Sequence, residues 1–203
     1  PEFNKSTLEV LRGPLEDKQV TISRLDFSMT YPCNFMFIAS MNPCPCGYYG
    51  SKEKQCICRD DQIQKYIHKI SGPLLDRIDI HIEVESVSYQ KLENSSLSES
   101  SSEIRKRVNH ARNIQINRYK NHPIFSNSEL TPNLISKYCK LSSKNKQILE
   151  TAFHTFGLSA RAYSRILKVA RTIADLDNSS DIQTHHLAEA IQYRSLDRKY
   201  WNK

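Results

Sequence analysis

The spacing of hydrophobic residues differs between the two halves of the chain and predicts a different structure for each. Residues 20–24 and 27–31 alternate apolar and polar side chains around Leu25-Asp26, which predicts a β-hairpin. The run at 35–41 is nearly continuous in apolar residues, as is typical of a strand that is fully buried in a parallel sheet. The run at 78–84 alternates in part and predicts a further strand.

Two short helices are predicted in the same half. One covers residues 4–12, with Asn4 at its N-cap and Gly13-Pro14 at its end. The other begins at Asp60 or Asp61 and keeps apolar side chains at helical spacing as far as Ile70. Together with the strands, these helices predict an α/β fold for residues 1–92.

The second half is predicted to be entirely helical. It follows a polar, serine-rich linker at 93–102. A capping box of Ser100 and Glu103 opens a helix that extends to about Tyr119. Three more helices are expected from their own start or stop signals: one through 148–156 ended by Gly157, one capped by Ser159 and one capped by Thr184. Residues 103–203 are therefore predicted to form an all-α domain.

Composition narrows the class of protein. The chain has 203 residues, of which 38% are hydrophobic and 25% charged, as in soluble globular proteins. No apolar run approaches the roughly 20 residues that cross a membrane, and no signal peptide is seen. We therefore expect a cytoplasmic protein with no membrane partner. Because the chain begins without an initiator Met, we expect it to be cut from something longer.

Charge is distributed unevenly. Residues 1–92 carry 11 Lys+Arg and 12 Asp+Glu, a net charge of −1, whereas residues 93–203 carry 18 and 10, a net charge of +8. This basic half could meet the phosphates of a nucleotide or a nucleic acid. A solvated basic helix surface is an equally good explanation.

Four of the six cysteines lie close together, at Cys44, Cys46, Cys56 and Cys58. A secreted disulfide framework would spread its cysteines along the chain. Four thiolates on one loop can instead close a tetrahedral zinc site, although the Cys-x-Cys spacing is less specific than the usual Cys-x2-Cys. A thiol cluster without metal is the alternative.

Several polar side chains are candidates for chemistry. Asn42 follows the run at 35–41, where an amide could orient a water against a phosphate; otherwise it is a turn residue before Pro43. Arg77 precedes the run at 78–84, and a guanidinium there could stabilise a transferring phosphoryl group. A simple ion pair of Arg77 with Asp76 or Asp79 is the alternative.

Two further sites are basic. Arg161 begins the helix capped by Ser159 and could reach a phosphate from a second domain, although basic edges are common on ordinary helices. The predicted hairpin at 19–31 carries Lys18 at its base and Arg24 at its tip, where they could follow a nucleic-acid backbone. An ordinary hairpin at a sheet edge would look much the same.

Taken together, these runs resemble one family. The chain is similar to the C-terminal part of the magnesium-chelatase-like AAA+ ATPases of the ComM/YifB type. The resemblance spans nearly the whole chain and is weakest over 86–145. It is carried by LEVLRGPLED at 8–17, MNPCPCGYYG at 41–50, ISGPLLDRIDIH at 70–81, GLSARAY at 157–163, and the runs at 166–176 and 186–198.

The resemblance implies roles for the candidate residues. Asn42 falls at the family's sensor-1 position beside the γ-phosphate, and Arg77 falls at the arginine-finger position, which acts on the neighbouring subunit's ATP. Arg161 falls at the sensor-2 position of a helical lid. The hairpin at 19–31 is similar to the pre-sensor hairpin that faces the pore of the ring.

The family's phosphate-binding loop and its acidic Mg²⁺-binding pair have no counterpart in this sequence. The resemblance therefore implies the second half of a P-loop AAA+ core followed by a lid, and this piece is not expected to hydrolyse ATP by itself. It implies ATP and Mg²⁺ as ligands of the full-length protein, a homo-oligomeric ring that we expect to be a hexamer, and DNA as a partner.

The function implied is helicase or branch-migration activity on DNA in natural transformation. Two other classes remain open on the sequence. One is a chelatase-type motor subunit that remodels a protein partner. The other is a non-enzymatic, zinc-bearing module that binds DNA.

Overall fold

A computed structural model describes residues 1–84 and 99–194 of the chain. These residues divide into two compact units, 1–78 and 79–194. The first unit contains short helices, a hairpin and a long cysteine-rich loop, and the second contains helices packed around a continuous apolar core. Across the described positions, no helix combines the length and the apolar character needed to cross a bilayer.

The first unit contains four helices and two strands. They are α1 (Lys5–Val10), α2 (Arg12–Asp17), β1 (Gln19–Ser23), β2 (Ser28–Pro32), α3 (Asp60–Ile67) and α4 (Gly72–Leu75). The strands pair antiparallel from Gln19 opposite Pro32 to Ser23 opposite Ser28, which confirms the predicted hairpin. The hydroxyls of Thr21 and Thr30 lie 2.8 Å apart across the ladder and support this register.

The two other predicted strands are wrong. Residues 35–41 and 78–84 are not assigned to any strand, and the two-stranded hairpin is the sheet found among the described residues. Met36 is 83% exposed and Val84 is 85% exposed, so these runs are not buried either. A strand requires a neighbour for its backbone N–H and C=O groups, and the described part of the chain places none beside these runs.

The helix boundaries of the first unit also differ from the predictions. Gly13-Pro14 does not end a helix but lies in the first turn of α2, where a proline is tolerated because the first amides need no intrahelical partner. Asn4 occupies the N-cap of α1 without forming a side-chain cap. Neither Asp60 nor Asp61 caps α3: Arg59 does, and its amide donates to Oε1 of Gln62 at 3.0 Å.

The second unit is helical as predicted. Its helices are α5 (Ser101–Tyr119), a 3₁₀ turn (Asn127–Glu129), α6 (Pro132–Tyr138), α7 (Ser143–Phe156), α8 (Ala160–Leu176) and α9 (Thr184–Gln192). Helix α8 supplies the centre of the core, because Ile166, Leu167, Ala170 and Ala174 are all buried on one face. The predicted linker at 93–102 lies outside the described residues as far as position 98.

Most of the predicted helix signals of the second unit are confirmed. Ser100 caps α5, and its hydroxyl accepts from the Glu103 amide at 3.3 Å. Ser159 caps α8 by accepting from the Ala162 amide at 3.1 Å. Gly157 ends α7 in the left-handed conformation, with φ of 57°. Thr184 is not the cap of α9; the preceding Gln183 is, and Thr184 donates to Asn145 instead.

Candidate functional site

The four clustered cysteines converge on one point. Sγ of Cys44 lies 3.4 Å from Sγ of Cys46 and 3.7 Å from Sγ of Cys56, and Cys46 and Cys56 are 3.6 Å apart. With Cys58, all four sulfurs lie within 4.8 Å of one another. Four thiolates around a zinc ion at about 2.3 Å are about 3.8 Å apart at the corners of a tetrahedron. The observed spacing fits that donor set.

The backbone around the sulfurs favours thiolate at one of them. Hydrogen bonds from the amides of Tyr48 and Ile57 lower the pKa of Cys46 to about 6. A hydrogen bond from the Cys58 amide lowers the pKa of Cys56, but burial and the neighbouring thiols outweigh it and raise that pKa to about 12. Burial raises the pKa of Cys58 as well. Four thiolates at this spacing therefore require a cation among them.

Two elements hold the cysteines in place. Cys44 is buried against Ile63, Tyr66 and Ile67 on the inner face of α3. The loop reverses direction at Gly47, whose φ is 84°, a region that favours glycine. The Gly47 amide donates to the Cys44 carbonyl at 3.0 Å and closes the first Cys-x-Cys turn. The site is thus built by one short helix and one tight turn.

Asn42 lies at the edge of this cluster rather than at the end of a buried strand. Its side chain is exposed, and its backbone amide donates to the Tyr66 hydroxyl. Burial, followed by a hydrogen bond to the Glu2 carboxylate, raises the pKa of Tyr66 to about 12. Asn42 is therefore held by α3 through its backbone, and its amide side chain faces solvent.

Arg77 is clamped within its own unit. Its Nη2 lies 2.7 Å from Oε2 of Glu16, and its Nη1 donates to the Pro73 carbonyl at 2.7 Å. The side chain is only 10% exposed. The alternative prediction, an ion pair of Arg77 with Asp76 or Asp79, is wrong. Arg77 pairs with Glu16 on α2, and Asp79 pairs with Arg165.

A second contact, between Glu9 on α1 and Ser71 at the start of α4, also holds the segment that leads to Arg77. The carboxylate of Glu9 on α1 accepts hydrogen bonds from Ser71 and Arg12, which lower the pKa of Glu9. Ser71 also caps α4 by accepting from the Leu74 amide at 3.2 Å. Glu9 and Glu16 therefore fix both ends of α4.

Arg161 lies in the first turn of α8, in the second unit, and is exposed. The next basic residues on the same face have defined partners: Arg165 forms an ion pair with Asp79, and Nζ of Lys168 donates to the Ser128 carbonyl at 2.9 Å. Arg161 is thus the most N-terminal of three basic residues along one edge of the helix.

The basic residues of the hairpin are both exposed. Lys18 ends α2 in the left-handed conformation, and its carbonyl accepts from the Cys33 amide at 2.7 Å. Arg24 begins the turn, and its amide donates to the Phe27 carbonyl at 2.8 Å. Strand β1 separates them, so they lie at opposite ends of the hairpin, roughly 17 to 20 Å apart by strand length.

The structure groups some of the predicted site residues and separates others. The four cysteines pack with Tyr66, which bonds the Asn42 backbone; Arg77 is fixed just after α4, and Arg161 belongs to the second unit. The sequence did not indicate Glu16 as the partner of Arg77, Tyr66 as the partner of Asn42 or Arg165 as the partner of Asp79. Glu9 and Glu16 are seven residues apart on consecutive helices. This spacing is the sequence signal that could have predicted acidic partners for the residues around α4.

Comparison with known proteins identifies the family. The sequence model described as "Magnesium chelatase, subunit ChlI" matches residues 1–92, and that described as "Magnesium chelatase, subunit ChlI C-terminal" matches residues 98–194. The two matches follow one another without overlap and together cover most of the chain. The chain therefore belongs to the magnesium-chelatase-like family that includes ComM and YifB.

Individual relatives support the same assignment. The chain is 40% identical over 199 residues to the competence protein ComM of Haemophilus influenzae and to the uncharacterized protein YifB of Escherichia coli. It is 33% identical over 193 residues to an uncharacterized protein of Mycobacterium tuberculosis. These alignments cover 98% and 95% of this chain but only 38% of each relative. The chain thus spans well under half the length of these relatives.

Proposed function

We propose that these residues form the nucleotide-responding part of a ring-forming AAA+ ATPase that acts on DNA in the cytoplasm. The observation that carries the proposal is the consecutive match of the two magnesium-chelatase sequence models along the chain. Six free thiols are in keeping with a reducing compartment. A relative named for competence favours DNA over a protein substrate.

In this proposal Arg77 is the arginine finger. A guanidinium offered to the triphosphate of a neighbouring subunit stabilises the charge that develops on the transferring phosphoryl group. Arg77 has the rigidity that this role needs, since Glu16 and the Pro73 carbonyl hold it. Its Nε has no hydrogen-bond partner within residues 1–84 and 99–194, so one donor of the held guanidinium remains open.

Asn42 and Arg161 would both act on the nucleotide that is bound by their own subunit. The Asn42 amide, exposed beside the ordered α3, would orient the attacking water. Arg161, at the start of α8, would contact a terminal phosphate of ATP, with Mg²⁺ held by residues outside this chain. Hydrolysis would then change the position of the helical unit relative to the nucleotide.

The test is steady-state ATP hydrolysis by the complete native protein. Arg77→Ala should reduce kcat by about a thousandfold and leave ATP affinity, measured with a fluorescent analogue, within a few-fold. Arg107→Ala is the matched control, because Arg107 is also paired to a glutamate, Glu99, but lies on α5 and belongs to no proposed site. Normal turnover in Arg77→Ala would remove the finger assignment.

We further propose that Cys44, Cys46, Cys56 and Cys58 hold one Zn²⁺. The support is the tetrahedral spacing of the sulfurs and the amides directed at Cys46. The zinc would fix the loop against α3 and so hold Asn42 in place, and no chemical step is assigned to it. Elemental analysis should find about one zinc per chain, and Cys46→Ser with Cys56→Ser should abolish it. A metal-free protein with an ordered loop would contradict this.

Lys18 and Arg24 are proposed to contact DNA phosphates. Both are exposed on the hairpin, which is the form expected of an element that follows a strand through a pore. In the complete protein, the double variant Lys18→Ala/Arg24→Ala should weaken DNA binding equally for all sequences and reduce the salt slope by about one per lost phosphate contact. Absence of DNA binding at low salt would favour the chelatase-type motor instead.

A further inference from the structure

The segment that follows Arg77 is attached to the helical unit by polar contacts. Asp79 forms an ion pair with Arg165 on α8, and the His81 amide donates to the Tyr193 carbonyl, just after α9, at 2.9 Å. The two isoleucines of this segment are poorly buried, since Ile80 is 45% exposed and Ile82 is 66% exposed. Among the described contacts of residues 79–82, one charge pair and one backbone hydrogen bond thus join the segment to α8 and to the end of α9.

The covalent chain connects this attachment to Arg77. Only Ile78 separates Arg77 from Asp79, so their Cα atoms cannot be more than about 7 Å apart. Because peptide planes are rigid, only four backbone torsions act between the two residues: ψ of Arg77, φ and ψ of Ile78, and φ of Asp79. A displacement of Asp79 is taken up by these torsions or passed on to Arg77.

The partner of Asp79 is on the helix that carries Arg161. Arg165 is one turn after Arg161, on the same face of α8. Its side chain is only 20% exposed, whereas that of Asp79 is 52% exposed, so the arginine is the better-packed member of the pair. The core residues of α8 make it a rigid body on this scale. A displacement of α8 would therefore act on Asp79 through Arg165.

We propose that the Asp79–Arg165 pair is a positioning pair that couples Arg161, which reads a subunit's own nucleotide, to Arg77, which reaches the nucleotide of the next subunit. This inference rests on the proposed function. It adds a route by which the nucleotide state of one subunit reaches the neighbouring active site. Neither Asp79 nor Arg165 touches the reacting groups; each acts through the arginine to which it is connected.

The contact itself is tested on this chain by hydrogen exchange of the His81 amide. Asp79→Asn and Arg165→Gln should each raise its exchange rate about two- to fivefold, the range expected for a partly exposed ion pair. The double variant Asp79→Arg/Arg165→Asp should restore protection. Glu99→Gln is the matched control, since it breaks an exposed pair with Arg107 elsewhere in the same unit. Unchanged exchange in Asp79→Asn would overturn the proposal.

The coupling is tested by ATP hydrolysis in the complete native protein. Asp79→Asn should lower kcat about two- to fivefold, leave KM for ATP unchanged within error and reduce the Hill coefficient, and the charge-swapped double variant should recover kcat. A purely structural role would not give this split together with rescue. An active wild type with unaffected Asp79→Asn would overturn the coupling alone. An inactive wild type would overturn the proposed function, and the coupling with it.

Discussion

At the residue scale, the Asp177 carboxylate interacts with two neighbouring histidines, His185 and His186. Its Oδ2 accepts a hydrogen bond from Nε2 of His186 at 2.9 Å, and Nε2 of His185 is 3.4 Å away. His186 is fully buried, and its Nδ1 accepts from the Gln183 amide at 3.0 Å. Because Nδ1 is an acceptor, the proton of the neutral ring lies on Nε2. The imidazole thus caps α9 and holds Asp177 at the same time.

A pH dependence follows at this residue. The hydrogen bonds from His186 and His185 lower the pKa of Asp177 in the folded state. The folded state then binds fewer protons, so the stabilisation is complete above the unfolded pKa near 4 and is lost as pH falls through the lower folded value. We expect urea midpoints of wild type and Asp177→Asn to differ at about pH 5 and the difference to shrink as the pH is lowered below about 4. Asp26→Asn, in the exposed hairpin turn, is the control; a constant difference would contradict the linkage.

At the scale of elements, the residues at the ends of the helices determine where each helix stops and where the next one begins. Helix α7 ends at Gly157 with φ of 57°, and α8 begins shortly afterwards at the Ser159 cap. The two signals together fix where α7 ends and where α8 begins. The Gly157 Cα has open space around it, because a Cβ there would meet nothing within 4 Å.

Gly157→Ala should therefore cost only the backbone strain of a left-handed alanine, about 1 to 2 kcal/mol. Urea unfolding of the helical unit, followed by circular dichroism, measures it. Gly157→Asn is the matched variant: asparagine tolerates this conformation better and should recover part of the loss. An equal loss in both variants would show that the space around the residue, and not the backbone angle, is limiting.

At the scale of the whole molecule, the helical unit is organised around buried charge as well as apolar packing. Asp175 is fully buried between α5 and the 3₁₀ turn; it accepts from Nη1 of Arg118 and Nδ2 of Asn127, each at 2.8 Å, and from Nε of Arg171 at 3.1 Å. Arg171 also donates to the carbonyls of Ser179 and Ser180 after α8. One carboxylate thus connects three helical elements and a loop.

Asp175→Ala should lower the free energy of unfolding by about 3 to 5 kcal/mol, because it leaves two partly or fully buried guanidinium groups without their counter-charge. Chemical unfolding of the chain measures the loss. Asp181→Ala, which removes an exposed carboxylate from the following loop, should change stability by less than about 0.5 kcal/mol. Similar losses in the two variants would contradict a central role for Asp175.

The predictions that were confirmed depend on short stretches of chain. The hairpin and the Ser100, Gly157 and Ser159 signals all involve groups that are close in sequence. The strands predicted at 35–41 and 78–84 failed because a strand is completed by a partner that its own sequence does not encode. Glu16 was not identified as the partner of Arg77 because 61 positions separate them in the chain (77 minus 16).

The sequence by itself determined the family, the helical character of the second half and the cysteine cluster, because local hydrogen bonds and the spacing of side chains are written in consecutive residues. Only the tertiary structure decided which carboxylate holds which arginine: Glu16 for Arg77, Asp79 for Arg165 and Asp175 for Arg118. Charges attract without regard to sequence distance, so the choice among many acidic residues is made by the packing that brings two of them together.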